Sequence, residues 1–391
     1  MKRIRYISSL LCIVLPLLLL SGCAKKESMN QVKDENFSSP TDSEVSYSDG
    51  FRNLTNTSMY YWGQTGKVSV MDFETMNSSI LCDKPNCSHT TSECLANQIG
   101  PDLPVFGNGS IYYFIDDVPK YGPTDEHIVD LTLGTSLFEY DFSKHRSQQI
   151  AHIDHVGVNG NCQGVLYYNN RIWFVGNWYG RVYDENGSLI SSGNSGGRYE
   201  LLSVDLNSKE VVSYGDLYDV DAIAEYYPGV TSSGDIALKG LFDNKLWFEV
   251  SFVDDGKFHY RSYVTCYDLE KQAYLGTPTD YSAIDFKAVS FLSKEYLVLS
   301  KDHEMSVYKE GSTEPIVVTD DSFSEAQKVS VFDDILFANE RVFDLNTGEC
   351  RMLPSKANSY VIAEYKDNYL IENSKAVGVY HLILKSEYLA G

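Results

Sequence analysis

Short apolar runs alternate with polar turns along most of this chain, and outside the N-terminal segment no stretch keeps the 3.6-residue period of an amphipathic helix. Two elements recur. The first is an aromatic or aliphatic strand, seen at Tyr60-Tyr61-Trp62, Ile111-Tyr112-Tyr113-Phe114, Ile172-Trp173-Phe174-Val175, Leu246-Trp247-Phe248, Tyr296-Leu297-Val298-Leu299, Ile335-Leu336-Phe337 and Tyr369-Leu370-Ile371. Most copies follow a turn such as Gly107-Asn108-Gly109, Asn169-Asn170 or Asp333-Asp334. The second is a strand that ends in Asp: Met71-Asp72-Phe73, Tyr140-Asp141-Phe142, Val204-Asp205-Leu206, Tyr267-Asp268-Leu269 and Phe343-Asp344-Leu345. Weaker copies stand at Tyr308-Lys309 and Tyr380-His381-Leu382. An Asp there can cap the turn that follows through backbone N–H groups, while Asn or Gly takes positive φ.

Together these elements predict four-stranded blades whose first strand is harder to see. Seven copies predict an all-β fold, a seven-bladed β-propeller over residues 57–391. Six or eight blades accommodate much of the same pattern. A β-sandwich is the rival all-β architecture, but it does not call for seven similar units.

The corners are unevenly spaced. The early ones stand 63 to 69 residues apart and the late ones 35 to 37. The extra length falls near 116–135, 177–198 and 252–262, between the second and third strands of units two, three and four. In a propeller those connections share a face with the links from one blade to the next. Long excursions on one face of neighbouring blades mark the expected binding face.

The N-terminal segment departs from this pattern. Lys2, Arg3 and Arg5 precede an apolar run from Leu10 to Leu20, too short to span a bilayer as a mature helix. Leu20-Ser21-Gly22-Cys23 follows and resembles a lipobox, which makes this a bacterial lipoprotein with a signal peptide over 1–22. The Cys23 thiol is the nucleophile that acylation, by palmitate or a similar chain, requires. Small Ser21 and Gly22 let the peptidase approach. The expected mature chain begins at Cys23, extracytoplasmic and lipid-anchored to the cell membrane, with that anchor as its only membrane contact. From Ala24 to Asn56 the sequence is polar and reads as a disordered tether with a reach on the order of 30 Å.

Charge narrows the partners. The precursor carries a net −22, and losing Lys2, Arg3 and Arg5 with no acid takes it to −25. Such a surface repels nucleic acid. The expected ligand is a protein, a peptide or a glycan. Trp178, Tyr179 and Tyr183, with Tyr226 and Tyr227, are the candidate aromatic platform. Local packing competes for each of them.

Chemistry concentrates in one segment. Cys82, Cys87, His89 and Cys94 follow the spacing C-x4-C-x-H-x4-C at the link between units one and two. Three thiolates and an imidazole suit tetrahedral zinc. A disulfide stapling an irregular loop suits an oxidising compartment equally, although three Cys leave one over. A free or redox-active thiol is the third option. The lipobox, this cluster and the blade pattern together resemble a group of propeller-like extracellular lipoproteins of Gram-positive anaerobes. That resemblance implies no activity.

Other motifs carry less. Cys162, Cys266 and Cys350 stand alone. Gly193-Asn194-Ser195-Gly196-Gly197 fits G-x-S-x-G, but no strand-turn-helix surrounds it, and it reads as a flexible Gly/Ser loop. Acidic groups at Asp116-Asp117, Asp216 to Glu225, Asp254-Asp255 and Asp320-Asp321 could ligate calcium but lack the spacing of a Ca²⁺ loop. No residue is assigned a catalytic role. The competing functional classes are a glycan-acting hydrolase or lyase with carboxylates in the channel, and a metal- or thiol-active protein.

Overall fold

The computed structural model describes the chain from Val45 to Ala390, except 49–51, 64–65, 100–103, 118–133, 159–161, 180–181, 184–188, 192–193, 219–222, 228–229, 233–235, 255–258, 277–280, 320–327, 354–358, 374–378 and the single positions 83, 85, 93, 155 and 224. Seven small antiparallel sheets follow one another in sequence and stand in a ring, a seven-bladed β-propeller. Blade 1 comprises strands 52–54, 58–62, 68–72 and 78–80, and blade 2 comprises 105–107, 110–116, 135–141 and 146–153. Blades 3 and 4 are built on 165–168, 171–179, 194–205 and 211–218, and on 236–242, 245–254, 259–268 and 273–275. Blade 5 spans 288–319 and blade 6 spans 329–352. Blade 7 has three strands, 359–365, 368–373 and 380–384. All seven aromatic runs found in the sequence lie in second strands, and the five Asp corners end third strands, whereas Tyr380-His381-Leu382 opens one.

The turn chemistry explains the regularity. First and second strands are joined at 169–170, 243–244 and 333–334 by two residues that both hold positive φ, between 50° and 59°. That geometry matches the twist of a tight hairpin, and Asn and Asp tolerate it best. Each corner Asp folds back on its own turn. Asp205 Oδ1 accepts from the N–H groups of Asn207 at 2.9 Å and Ser208 at 3.0 Å. Asp344 does the same with Asn346 and Thr347, and Asp268 with Glu270 and Lys271.

The apolar core lies in the seams between blades. Leu166, Trp173 and Leu201 of blade 3 pack on Ile236, Leu246 and Phe248 of blade 4. Further seams join blades 2 and 3, 5 and 6, and 6 and 7. Tyr60 of blade 1 meets Phe106 of blade 2 with ring centroids 4.0 Å apart. Burial on both faces accounts for the nearly continuous apolar runs in the second strands, where a sheet with one wet face would alternate.

Among the described residues ring closure involves no shared strand, since the strands of blade 7 and of blade 1 each come from one stretch of chain. Met59, Met71 and Phe73 of blade 1 pack against Ala363 and Leu370 of blade 7. Buried Glu372 of blade 7 accepts from Arg52 Nη1 of blade 1 at 3.3 Å and pairs with Lys328 at the start of blade 6. Helix 385–390 follows strand 380–384, and its buried Tyr388 meets Phe337 and Tyr369.

Three expectations need adjustment. The polar stretch read as tether as far as Asn56 already supplies strands 45–48 and 52–54, so the ring begins earlier. Backbone pairing overrides the weak hydrophobic pattern there, and Asn53 is buried with its amide donated to Pro104 O. Residues 194–197 of the Gly/Ser motif belong to strand 194–205 and are not a loop. Blades 3 and 4 each carry extra strands: 45–48 pairs with 165–168, 156–157 pairs with 171–179, 162–163 runs parallel to 236–242, and 230–232 pairs with 245–254.

Two tests follow from this fold. Glu372→Ala removes the shared anion of the closure and should cost about 2 kcal/mol, less than a fully buried pair because both cations reach solvent. Urea unfolding of the intact domain measures it, and an unchanged midpoint would show that closure rests on apolar packing alone. The second concerns acid. Lys144 and Ser143 hold the Asp141 carboxyl well below its usual range, and backbone N–H groups do so for Asp205, Asp268 and Asp344. A depressed carboxylate adds stability above the unfolded pKa near about 4, lost as pH falls toward the folded value. The melting temperature should therefore drop steeply below about pH 4, and a flat profile from pH 6 to 3 would refute the role of the corners.

Candidate metal centre

The link from blade 1 to blade 2 leaves the outer strand 78–80 and re-enters at 105–107. It emerges on the face where second strands hand over to third strands, here termed the loop face. The opposite, turn face carries the tight hairpins and the Asp corners. On the loop face the chain leaves blade 2 at Asp116 and returns at Thr135, and leaves blade 3 at Tyr179 and returns at Asn194. Within the blade 3 excursion, strands 182–183 and 189–191 pair as a small hairpin.

Within the inter-blade link the chain doubles back twice. Asn86 and His89 hold φ of 57° and 56°, left-handed values that turn the backbone sharply. The Cys87 N–H donates to Lys84 O at 3.3 Å, and the His89 N–H donates to Cys87 Sγ at 3.4 Å. Cys94 then stands just before helix 95–98. That helix is docked by Leu95 and Ala96, both 1% exposed, with Leu81 and Ile99 buried beside them.

As a result Cys82, Cys87, His89 and Cys94 converge. Their ligand atoms all lie within 4.8 Å of one another, and Cys94 Sγ is 3.5 Å from His89 Nδ1. A tetrahedral zinc ion with three sulfurs and one imidazole nitrogen has ligand–ligand edges of about 3.5–3.8 Å. One edge is at that length already, and the others need to shorten by about 1 Å at most. The three thiols are free. Burial pushes the Cys82 thiol up to about 12, while the His89 N–H favours the Cys87 thiolate and lowers its pKa. Burial, with nearby Lys67, keeps His89 neutral and able to ligate. These four are the residues that could hold a metal ion, and all four positions of a tetrahedron would come from the protein.

An outer layer supports the ligands, and the sequence reading missed it. Lys67, in the second-to-third turn of blade 1, donates through Nζ to His89 O and Asn97 Oδ1. Asn97 Nδ2 donates to His89 O at 3.1 Å and to Thr91 O at 2.7 Å. Gln98 Oε1 accepts from Tyr113 Oη at 3.1 Å and Ser147 Oγ at 2.8 Å, which fastens the link to blade 2. Nothing in local spacing marks Lys67, since it reaches the cluster from 22 residues away.

Cys23 lies outside the described residues. Trp178 and Tyr179 end strand 171–179 and Tyr183 lies in strand 182–183, with side chains outside the described set. Tyr226 is 48% exposed, whereas Tyr227 turns onto Phe286 with ring centroids 5.4 Å apart and serves packing. Among the acidic groups, Asp117 Oδ2 is engaged by the Gly134 N–H at 3.0 Å, and Asp219, Asp221, Asp255, Asp320 and Asp321 lie outside the described residues. Among the described residues the Cys/His group is the one set of three or more potential ligands that converges. Ser136, His152 and Asp154 form a hydrogen-bonded chain, with Ser136 Oγ 3.0 Å from His152 Nδ1 and His152 Nε2 3.2 Å from Asp154 Oδ1. Ser136 is a buried cross-strand neighbour of His152, so this chain serves the sheet of blade 2.

No protein-family model matches this chain, and no curated protein does. Among solved structures the chain is similar to Pyrococcus horikoshii acylaminoacyl peptidase, at 12% identity and TM-score 0.38, over 88% of this chain and 52% of that one. It thus spans about half the length of that peptidase. It is also similar to the β-propeller domain of the Trilobed protease from Pyrococcus furiosus, at 11% identity and TM-score 0.39, over 88% and 92% of the two chains. A third likeness is to an oligogalacturonate lyase in complex with manganese, at 9% identity and TM-score 0.33, over 88% and 92%.

Proposed function

We propose that this chain is a lipid-anchored, extracytoplasmic β-propeller that recognises a protein, peptide or glycan on its loop face, with a structural zinc ion holding the first inter-blade link in shape. The observation that carries the metal reading is the convergence of Cys82, Cys87, His89 and Cys94 within 4.8 Å. A ligand set of four protein groups leaves no position for substrate, so the ion is structural and not catalytic. Zinc offsets the repulsion between thiolates and fixes a segment with little regular structure of its own. The recognition reading is supported by the excursions at 116–135 and 179–194, which leave from the same face as the metal link, on neighbouring blades.

Purified native chain should carry about one zinc per molecule. His89→Ala and Cys94→Ser should each lose the metal and open the segment 82–94 to protease, while the rest of the ring stays folded. Intact mass without reduction, read beside metal content, separates the alternatives. A loss of two hydrogens with no metal would replace the zinc site by a disulfide staple. Three free thiols with no metal would remove the site.

The anchor has its own test. Cys23→Ser should move the protein from the membrane fraction to the soluble fraction and abolish acylation. Unchanged partition and acylation would refute the lipoprotein reading.

A further inference from the structure

Strand 45–48 pairs antiparallel with 165–168, the innermost strand of blade 3, in the register Val45↔Tyr168 to Ser48↔Val165. It therefore lies on the channel side of that blade, where it also meets the inner strands 52–54 and 105–107 of blades 1 and 2. Its direction is set by its partner. Tyr168 leads into the hairpin 169–170 on the turn face, and Val165 lies toward the loop face. Val45 is consequently at the turn face and Ser48 toward the loop face. Four residues later Arg52 begins blade 1 from the loop face. The chain enters the ring at the centre of its turn face and crosses the channel. It starts the first blade only on the far side.

We infer that this threading sets which way the propeller points: the turn face is toward the membrane, and the loop face, with the metal link and the long excursions, is presented outward to a partner arriving from outside the cell. The inference rests on acylation at Cys23. From Cys23 to Val45 there are 22 residues, able to span at most about 75 Å fully extended. A tether attached at the channel mouth keeps that mouth, on average, nearer the bilayer than the opposite face. The turn face mixes exposed Glu74, Glu210, Glu310, Glu314 and Glu349 with exposed Lys144, Lys209, Lys271, Lys294 and Lys366, so it is not a basic surface of the kind that anionic lipid attracts. The domain stands off the bilayer on its tether. Had the chain started blade 1 directly, without strand 45–48, the tether would leave from the loop face at Arg52 and the presentation would invert.

Strand 304–309 of blade 5 runs from the loop face to the turn face, so its two ends offer a matched comparison. His303 and Thr313 flank it and are both exposed. The full lipidated chain, with an azide-bearing residue at 303 or at 313 coupled to a donor dye, is placed in phosphatidylglycerol–phosphatidylcholine vesicles that contain an acceptor-labelled lipid. Energy transfer should be at least about twofold greater from 313 than from 303. Equal transfer, or more from 303, with the protein still bound to vesicles overturns the orientation and leaves the anchor intact. No transfer from either position, with Cys23→Ser and the parent equally unbound, overturns the anchor and the orientation together. Trimming with a nonspecific protease gives a second readout. A threaded strand is protected, so cleavage should stop before Val45. Removal of 45–48 without loss of the fold would refute the threading.

Discussion

A ring of sheets is stable only if every blade is packed on both sides, and that constraint organises this molecule. Each blade exposes two faces, and neither can stay wet when both carry Leu, Val, Phe and Tyr. The seams meet the requirement in turn, from Tyr60 on Phe106 around to Met59, Met71 and Phe73 on Ala363 and Leu370. The final seam is the demanding one. Among the described residues blade 7 and blade 1 share no strand, so no ladder hydrogen bonds join these two blades. Apolar contact and the Glu372 cluster substitute for a ladder. An anion shared by Arg52 and Lys328 ties three blades at the point where the chain could otherwise part.

The same constraint shapes the faces. Turn-face connections are short because two left-handed residues or one Asp corner suffice to reverse a strand. Loop-face connections carry the length, and there the chain must find its own means of holding shape. At the first inter-blade link it does so with a short helix, a Lys67–Asn97 bracket around His89 O, and four side chains suited to one metal ion. That link has few apolar residues beyond Leu81, Leu95, Ala96 and Ile99. A coordinated ion would supply there what an apolar core supplies elsewhere.

Polarity is a further product of the backbone path. Strand 45–48 occupies the inner edge of blade 3 and strand 162–163 the inner edge of blade 4, so the channel is filled on one side. The first of these also determines the face from which the N-terminal segment emerges. In the reading proposed above, a single crossing of the channel decides which surface a partner meets first.

Local chemistry makes much of this legible in the sequence. An Ile-Trp-Phe or Leu-Trp-Phe run after Asn-Asn or Asp-Asn specifies a tight hairpin into a buried strand. An Asp followed by Leu or Phe specifies a corner, because that carboxylate has backbone N–H groups two and three residues on. Five such pairs, with two weaker copies at Tyr308-Lys309 and Tyr380-His381-Leu382, follow from nearest-neighbour rules, and so does the spacing of Cys82, Cys87, His89 and Cys94. The path of 45–48 is not legible: Val45-Ser46-Tyr47-Ser48 alternates over four residues only, and nothing local says that its partner is the edge of blade 3. Lys67 joining the metal link, Glu372 meeting two cations 320 and 44 residues away, and Tyr227 turning onto Phe286 belong to the same class. Each depends on where the ring brings distant segments together. Local propensity settles hairpins and corners within a few residues, whereas closure, threading and the support of the metal link exist only once seven blades share one axis.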